Sequence, residues 1–249
     1  MKLYLQALAM TQTMFCAIPL PLKTWNPRAQ SRMPLFLPLI GLEIGLIWYL
    51  AAQLLSLAAV PALLEGLVLF AVPYLLTGFL HLDGFMDVTD AVRSCRDAEK
   101  RKEILKDSHV GAFAVIGCIM LFLSGLVLCT CLPEHTDLRI LVWIPVISRC
   151  SSALAVTLLR PLSCSEYAGT FQKGIRPAFP WIIGLQLLAA LISAFLICGK
   201  AAFCLIGGVL GYSLALLRGT RSLGGMNGDI AGYSLTLSEL CALAVLVFL

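Results

Sequence analysis

Apolar residues run in blocks of membrane-spanning length along this chain, and polar residues are confined to the gaps between them. The first block covers roughly Phe36 to Val60 and is closed by Pro61. The second, Ala62 to Leu80, is 19 residues, or about 28 Å as a helix, enough to cross a bilayer. Five more follow at roughly Val110–Leu132, Leu138–Leu159, Phe179–Cys198, the stretch from the Gly199-Lys200 turn to Leu217, and Tyr233–Leu249. Ahead of them, Leu3 to Pro19 mixes Leu5, Leu8, Phe15 and Ile18 with Gln6, Thr11, Gln12 and Thr13. That segment is too short and polar to span. It reads as an interfacial amphipathic helix, with a buried packing helix as the alternative.

Composition agrees with the pattern. With 59% hydrophobic and 13% charged residues, against about 25% charged in a soluble domain, the chain is expected to be an all-α polytopic membrane bundle. About seven transmembrane helices and the N-terminal interfacial helix are expected to form one integral-membrane domain over residues 1–249. The ten cysteines include no CxxC pair and sit mostly in apolar runs, so they read as small core residues. No convincing cleavage site follows the first apolar stretch, and a cleaved signal peptide is not expected.

The basic residues orient the bundle. With the N-terminus in the cytoplasm, the inner segments carry Lys2, Lys23, Arg28, Arg32, six residues between Arg93 and Lys106, Arg160, Lys173, Arg176, Arg218 and Arg221, fifteen in all. The outer turns carry two, Arg139 and Lys200. This is a positive-inside distribution. It predicts a multi-pass membrane protein whose polar loops face the cytoplasm, where nucleotides and Mg²⁺ are.

The chemistry concentrates where the second block ends, in His81-Leu82-Asp83-Gly84-Phe85-Met86-Asp87-Val88-Thr89-Asp90. On a helix, Asp87 lies about 40° from Asp83 and Asp90 about 20° to the other side. The three carboxylates thus share one narrow face. Like charges so close call for a cation, a proton or basic groups, and Mg²⁺, held by one or two carboxylates plus substrate phosphates, is the economical answer. The plainer alternative is three solvated acids beyond the membrane. His81 falls about 160° from that face and is not expected to be a ligand.

Two further stretches could complete a site. Arg101-Lys102-Glu103-Ile104-Leu105-Lys106-Asp107-Ser108-His109-Val110-Gly111 places Arg101 and Lys106 where they could clamp phosphate oxygens, or where they merely satisfy the positive-inside rule. Gly224-Gly225-Met226-Asn227-Gly228-Asp229 could approach an anion by its backbone, with Asp229 joining the metal site or capping a helix. Within spans stand Glu43, Arg149 and Glu239. Arg149 could reach phosphate from the cavity side or pair with Glu43 or Glu239.

The strings LHLDGFMDVTDA, EILKDSHVGAFA and GGMNGDIAG resemble the cobalamin synthase family, the adenosylcobinamide-GDP ribazoletransferases, with weaker similarity over almost the whole chain. The resemblance implies a membrane enzyme that joins adenosylcobinamide-GDP to α-ribazole, or its 5′-phosphate, with release of GMP. It implies an acidic motif at Asp83, Asp87 and Asp90, a KDS motif at Lys106, Asp107 and Ser108, a GD pair at Gly228 and Asp229, and a later acid at Glu239. Asn227, Arg93 and Cys95 depart from the family's pattern. The bilayer is an expected partner and nucleic acid is not. Two other readings remain: a Mg²⁺-dependent intramembrane prenyltransferase, which usually needs a second DxxxD-type motif that is lacking here, and a transporter, which would show polar groups near mid-membrane or a repeat.

Overall fold

The computed structural model describes residues 1–21, 24–162 and 174–249. Lys23, Cys164 and Lys173, and most of the polar loop after Arg160, lie outside the described residues. Among those described, secondary structure is helical: α1 (Lys2–Phe15), α2 (Pro27–Gln30), α3 (Leu37–Leu57), α4 (Ala62–Leu76), α5 (Leu80–Arg93), α6 (Ala98–Lys106), α7 (Ala112–Thr130), α8 (Ile140–Leu158), α9 (Ala178–Cys198), α10 (Cys204–Leu223) and α11 (Gly228–Leu246). Short 3₁₀ turns at Met33–Phe36 and Gly199–Phe203 precede α3 and α10.

Five stretches are long and apolar enough to cross a membrane, and α4 with α5 makes a sixth, bent candidate. One of the five, Ala178–Leu223, is 46 residues, about 69 Å if it were straight and over twice the hydrocarbon thickness. Gly199, at φ +55°, breaks it into α9 and α10, and both pack against α8. Each of the two helices is long enough to cross alone, which reconciles five stretches with an expected count near seven. The chain is a multi-pass membrane protein by these lengths and compositions.

α8 and α11 form the centre. α8 meets α3, α9, α10 and α11, while α11 meets α10, α5 and α8. Between apolar helices in lipid, close approach of backbones does what water exclusion does elsewhere. Gly41 and Gly45 on α3 accordingly lie against the α8 backbone at Pro145 and Val142. Trp48 adds a hydrogen bond from its Nε1 to the Leu69 carbonyl at 2.7 Å, tying α3 to α4. Outward faces keep large apolar residues such as Ile119, Trp181, Leu185 and Leu196 exposed, as lipid contact requires.

The largest departure from the sequence reading is at the end of the second block. It does not run straight to Leu80: α4 stops at Leu76, and α5 leaves at 94° to it. Gly78 (φ +58°) and Phe79 (φ +63°) make the corner with two successive left-handed residues, which Gly adopts freely and Phe only under constraint. The Phe79 N–H bonds back to the Tyr74 carbonyl at 2.9 Å. α5 buries Leu82, Phe85, Val88, Ala91 and Val92 against α7 and α11. α5 thus runs as an amphipathic helix at 94° to α4 rather than continuing it straight to a membrane-crossing tip.

α1 packs on the bundle by one face. Ala7 and Met10 are fully buried with Ala29 and Met33, and the segment after α1 is tied to the α4–α5 corner by the Ala17 N–H on the Leu76 carbonyl, 2.7 Å. Its outer residues, Met1, Tyr4 and Leu5, stay exposed. The nine described cysteines are unpaired.

Candidate active site

Two glycines build the site. A Cβ on Gly84 would stand 2.9 Å from the Asp229 backbone, and one on Gly232 would stand 3.1 Å from the His81 backbone. The first is shorter than real Cβ contacts and the second is tighter than most, so α5 and the first turns of α11 cross with their backbones in close contact. The Phe85 and Tyr233 rings stack beside the crossing at 5.7 Å, and the Thr236 hydroxyl donates to the His81 carbonyl at 3.3 Å. This crossing brings Asp229 to the aspartates of α5. The seventh block begins five residues earlier than its hydropathy indicates, at Gly228, so the GD pair belongs to the first turn of α11 rather than to a preceding loop.

Asn227 is the cap of that helix. Its Oδ1 accepts from the Ile230 N–H at 2.9 Å and its Nδ2 donates to Asp229 Oδ2 at 2.6 Å. Asp229 is thereby released from capping and held toward α5, its second carboxylate oxygen uncommitted. Gly225 packs on the Leu162 backbone, where the Met226 and Leu162 N–H groups bond the Arg160 and Met226 carbonyls at 2.9 and 2.8 Å. These glycines shape a turn.

Asp83, Asp87 and Asp90 do share one face, exposed at Asp83 and half-buried at Asp87 and Asp90. They line a narrow groove of about 30 Å³ together with Met86, Ile104, His109 and Gly111. Gly111 admits the Asp90 carboxylate directly against its Cα, a space that any Cβ would fill. Burial, followed by the charges of Asp83, Asp229 and Asp90, pushes the Asp87 carboxyl up to about 6. Among the described residues none of these four acids takes part in an ion pair, and no three His, Cys, Asp or Glu side chains converge as a ready-made metal site.

The KDS stretch divides its labour. Asp107 is exposed, and its Oδ1 accepts from the His109 N–H at 3.0 Å and meets His109 Nδ1 at 2.6 Å. That contact holds Asp107 below and His109 above their ordinary pKa values. Asp107 therefore orients His109, and His109 is the member that reaches the groove. The sequence reading passed over His109, although a histidine two residues after an Asp and two before the Gly that seats Asp90 was a signal. Arg101 is half-buried with its Nε unpartnered, and Lys106 is exposed. Neither is among the residues that line the groove.

Arg149 and Glu239 are buried, at 1% and 5% exposure, and form an ion pair that Ser148 joins by donating to Glu239 at 2.9 Å. The structure thus chooses Glu239 over Glu43 as the partner of Arg149. Arg149 also lines a second cavity of about 310 Å³, with Asp83, Asp229, Asn227 and His81 and apolar walls from Phe15, Leu37 and Val156. Asp83 alone of the acids faces both compartments. His81, on the far side of α5 from the groove as expected, is buried; its burial and the Arg149 charge push its pKa down to about 3, so it is neutral.

An all-helical, multi-pass membrane protein with four acids from two elements gathered at one end of the bundle belongs to a recognisable class, and comparison with known proteins narrows it. Residues 7–247 match the family model CobS, described as cobalamin-5-phosphate synthase, and the chain belongs to that family. It is similar to the adenosylcobinamide-GDP ribazoletransferase of Clostridium perfringens (strain SM101), at 41% identity over 99% of both chains. The protein of that name from Clostridium botulinum (strain Alaska E43) is 35% identical over 98% of this chain and 97% of its own. That from Lachnoclostridium phytofermentans is 31% identical over 98% and 94%. No solved structure matches.

Proposed function

We propose that the chain is an adenosylcobinamide-GDP ribazoletransferase acting at the cytoplasmic face of the inner membrane. A hydroxyl of α-ribazole, or of its 5′-phosphate, attacks the phosphorus carried on the cobinamide side of the GDP adduct. The new P–O bond forms as the bond to the GMP moiety breaks, and the hydroxyl proton passes to a carboxylate. The observation that carries this reading is that Asp83, Asp87 and Asp90 share one face of α5, with Asp229 close enough for its charge to act on Asp87, and that among the described residues none of the four is in an ion pair. An uncompensated acidic cluster fits a substrate that arrives with a cation.

Mg²⁺ fits the donor set, which is all oxygen, like-charged and open. One or two of Asp83, Asp87 and Asp90 would hold it, with substrate phosphates completing its shell, since among the described residues no three acids converge as a cage. Bound there, it supplies neutralisation of charge on the attacked diphosphate. The protein's own residues do the rest. Gly111 fixes Asp90 in the groove. Asp229, steadied by Asn227 and facing the larger cavity, is placed to take the proton of the attacking hydroxyl. Arg101, with its unpartnered Nε, and Lys106 are cations for the part of the diphosphate that lies outside the groove. Asp107 acts through His109.

The test is to incubate the purified, detergent-solubilised protein with adenosylcobinamide-GDP, α-ribazole and Mg²⁺. GMP and a completed cobamide are expected. Pyrophosphate release would indicate a prenyltransferase instead, and no chemistry would leave a transporter.

A further inference from the structure

The acidic groove accounts for the diphosphate and its ion, but it leaves the larger cavity without an occupant. That cavity lies beneath α1, between α5, α8, α11 and the start of α3, and its volume is about 310 Å³, within the range of small-molecule sites. Phe15, Leu37, Val156 and Leu235 give it apolar walls. The Phe15 and His81 rings are nearly parallel, 18° apart with centroids at 6.2 Å, and both line the space. Among the described residues, two buried polar atoms on its lining have no hydrogen-bond partner, His81 Nε2 and Arg149 Nε. The residues that carry them are 9% and 1% exposed. Buried polar groups are nearly always paired, so an absent partner points to a ligand that brings one.

The candidates for that ligand are the pieces of the two substrates. A corrin macrocycle is far too large for such a volume. Guanine would place a polar edge of several donors and acceptors against walls that offer few. A benzimidazole nucleoside suits the space: its base is flat, bicyclic and apolar, with one free ring nitrogen that only accepts.

Resting on the reaction proposed above, we infer that this cavity is the acceptor subsite. It takes the aromatic base of the nucleoside against Phe15 and His81, His81 Nε2–H donates to the free ring nitrogen, and the ribose hydroxyl lies at Asp83 and Asp229. His81 is then the residue that determines base specificity. The two compartments meet at Asp83, which is where an acceptor from one and a diphosphate from the other must meet for in-line transfer.

The test compares α-ribazole with the corresponding α-ribosyl indole, in which the free ring nitrogen is replaced by C–H, using the full chain in lipid nanodiscs. In the wild type the indole analogue should show a KM higher by about tenfold or more, since a site built to hydrogen-bond rejects an analogue that cannot. His81→Phe should raise the KM for α-ribazole to that level and abolish the difference. Val156→Phe, which fills the cavity, should raise the KM for α-ribazole by about tenfold or more and leave the KM for adenosylcobinamide-GDP unchanged. Equal KM values for the two acceptors in the wild type would remove His81 from base recognition and overturn the proposal, and that measurement needs no variant. A Val156→Phe protein in which the donor KM rises instead would assign the cavity to the donor. If the wild type releases no GMP, the reaction itself fails, and equilibrium dialysis of α-ribazole against wild type and Val156→Phe still decides the cavity: binding lost in the variant supports it, and binding absent or unaltered overturns it.

Discussion

Two clusters of ionisable groups among the described residues are opposites. Across the end of the bundle, Asp83, Asp87, Asp90 and Asp229 bring like charges together from two helices with no cation between them. Within the bundle, Arg149 and Glu239 neutralise each other, with Ser148 closing the pair. An opposite-charge pair in an apolar interior satisfies itself, and its loss is felt as instability. A like-charge cluster stores repulsion that a bound cation or a proton removes. The first kind of cluster holds the bundle together, and the second is where substrate is expected.

Breaking either one should give a different phenotype. Asp83→Asn or Asp87→Asn is expected to cut turnover by roughly 100- to 1000-fold, the scale of losing a group that stabilises charge in the transition state, with the thermal melting of the protein retained. Glu239→Leu should do the reverse. Leaving Arg149 buried and unpaired costs about 3–5 kcal/mol, to be read as a lowered melting temperature and reduced yield, while the Mg²⁺ concentration giving half-maximal rate in the surviving protein stays at the wild-type value. A Glu239 variant with normal melting but altered Mg²⁺ dependence would dissolve the distinction.

A smaller effect tests the seating of Asp90. Gly111 has φ −83°, an ordinary backbone conformation, so Gly111→Ala should fold normally. Its new methyl group would occupy the place of the Asp90 carboxylate, and displacement by about 1 Å should slow turnover by about 10- to 100-fold. Gly111→Ala at wild-type rate would show that Asp90 need not sit there. The smallest effect is in pH. Asp87 carries a proton up to about pH 6 because burial and its acidic neighbours disfavour its charge. Activity at limiting Mg²⁺ should therefore rise with pH through about 6. Raising Mg²⁺, which favours the ionised form, should move that limb to lower pH. A limb that ignores Mg²⁺ would mean that proton and metal do not compete at Asp87.

Much of this was legible in the sequence, and the rest was hidden for identifiable reasons. The apolar blocks and the helical spacing of Asp83, Asp87 and Asp90 depend on local periodicity, and both hold. The corner at Gly78 and Phe79 does not show, because Phe79 and Leu80 carry the apolar block past it and hydropathy carries no angle. The closeness of Gly84 to Asp229 and of Gly232 to His81 spans about 150 residues of sequence, so a glycine-rich stretch that reads as an approach to an anion is followed by a Gly232 whose reason is the His81 backbone. Arg149 presented two equal partners until packing chose one. The cavity beneath α1 exists only once the N-terminal helix is folded over α5 and α8, and no spacing along the chain announces it.

The central claim is that the acidic cluster is a metal-diphosphate site, and a Mg²⁺ titration of GMP release tests it most directly. Wild type, Asp83→Asn, Asp87→Asn and Asp90→Asn are assayed side by side with saturating adenosylcobinamide-GDP and α-ribazole. The account predicts strict Mg²⁺ dependence in the wild type, and in the Asp83 and Asp87 variants a large rise in the Mg²⁺ needed for half-maximal rate together with a large fall in that rate. Unchanged rates and unchanged Mg²⁺ dependence in all three variants would contradict it and leave the four acids as a solvated end of a membrane bundle.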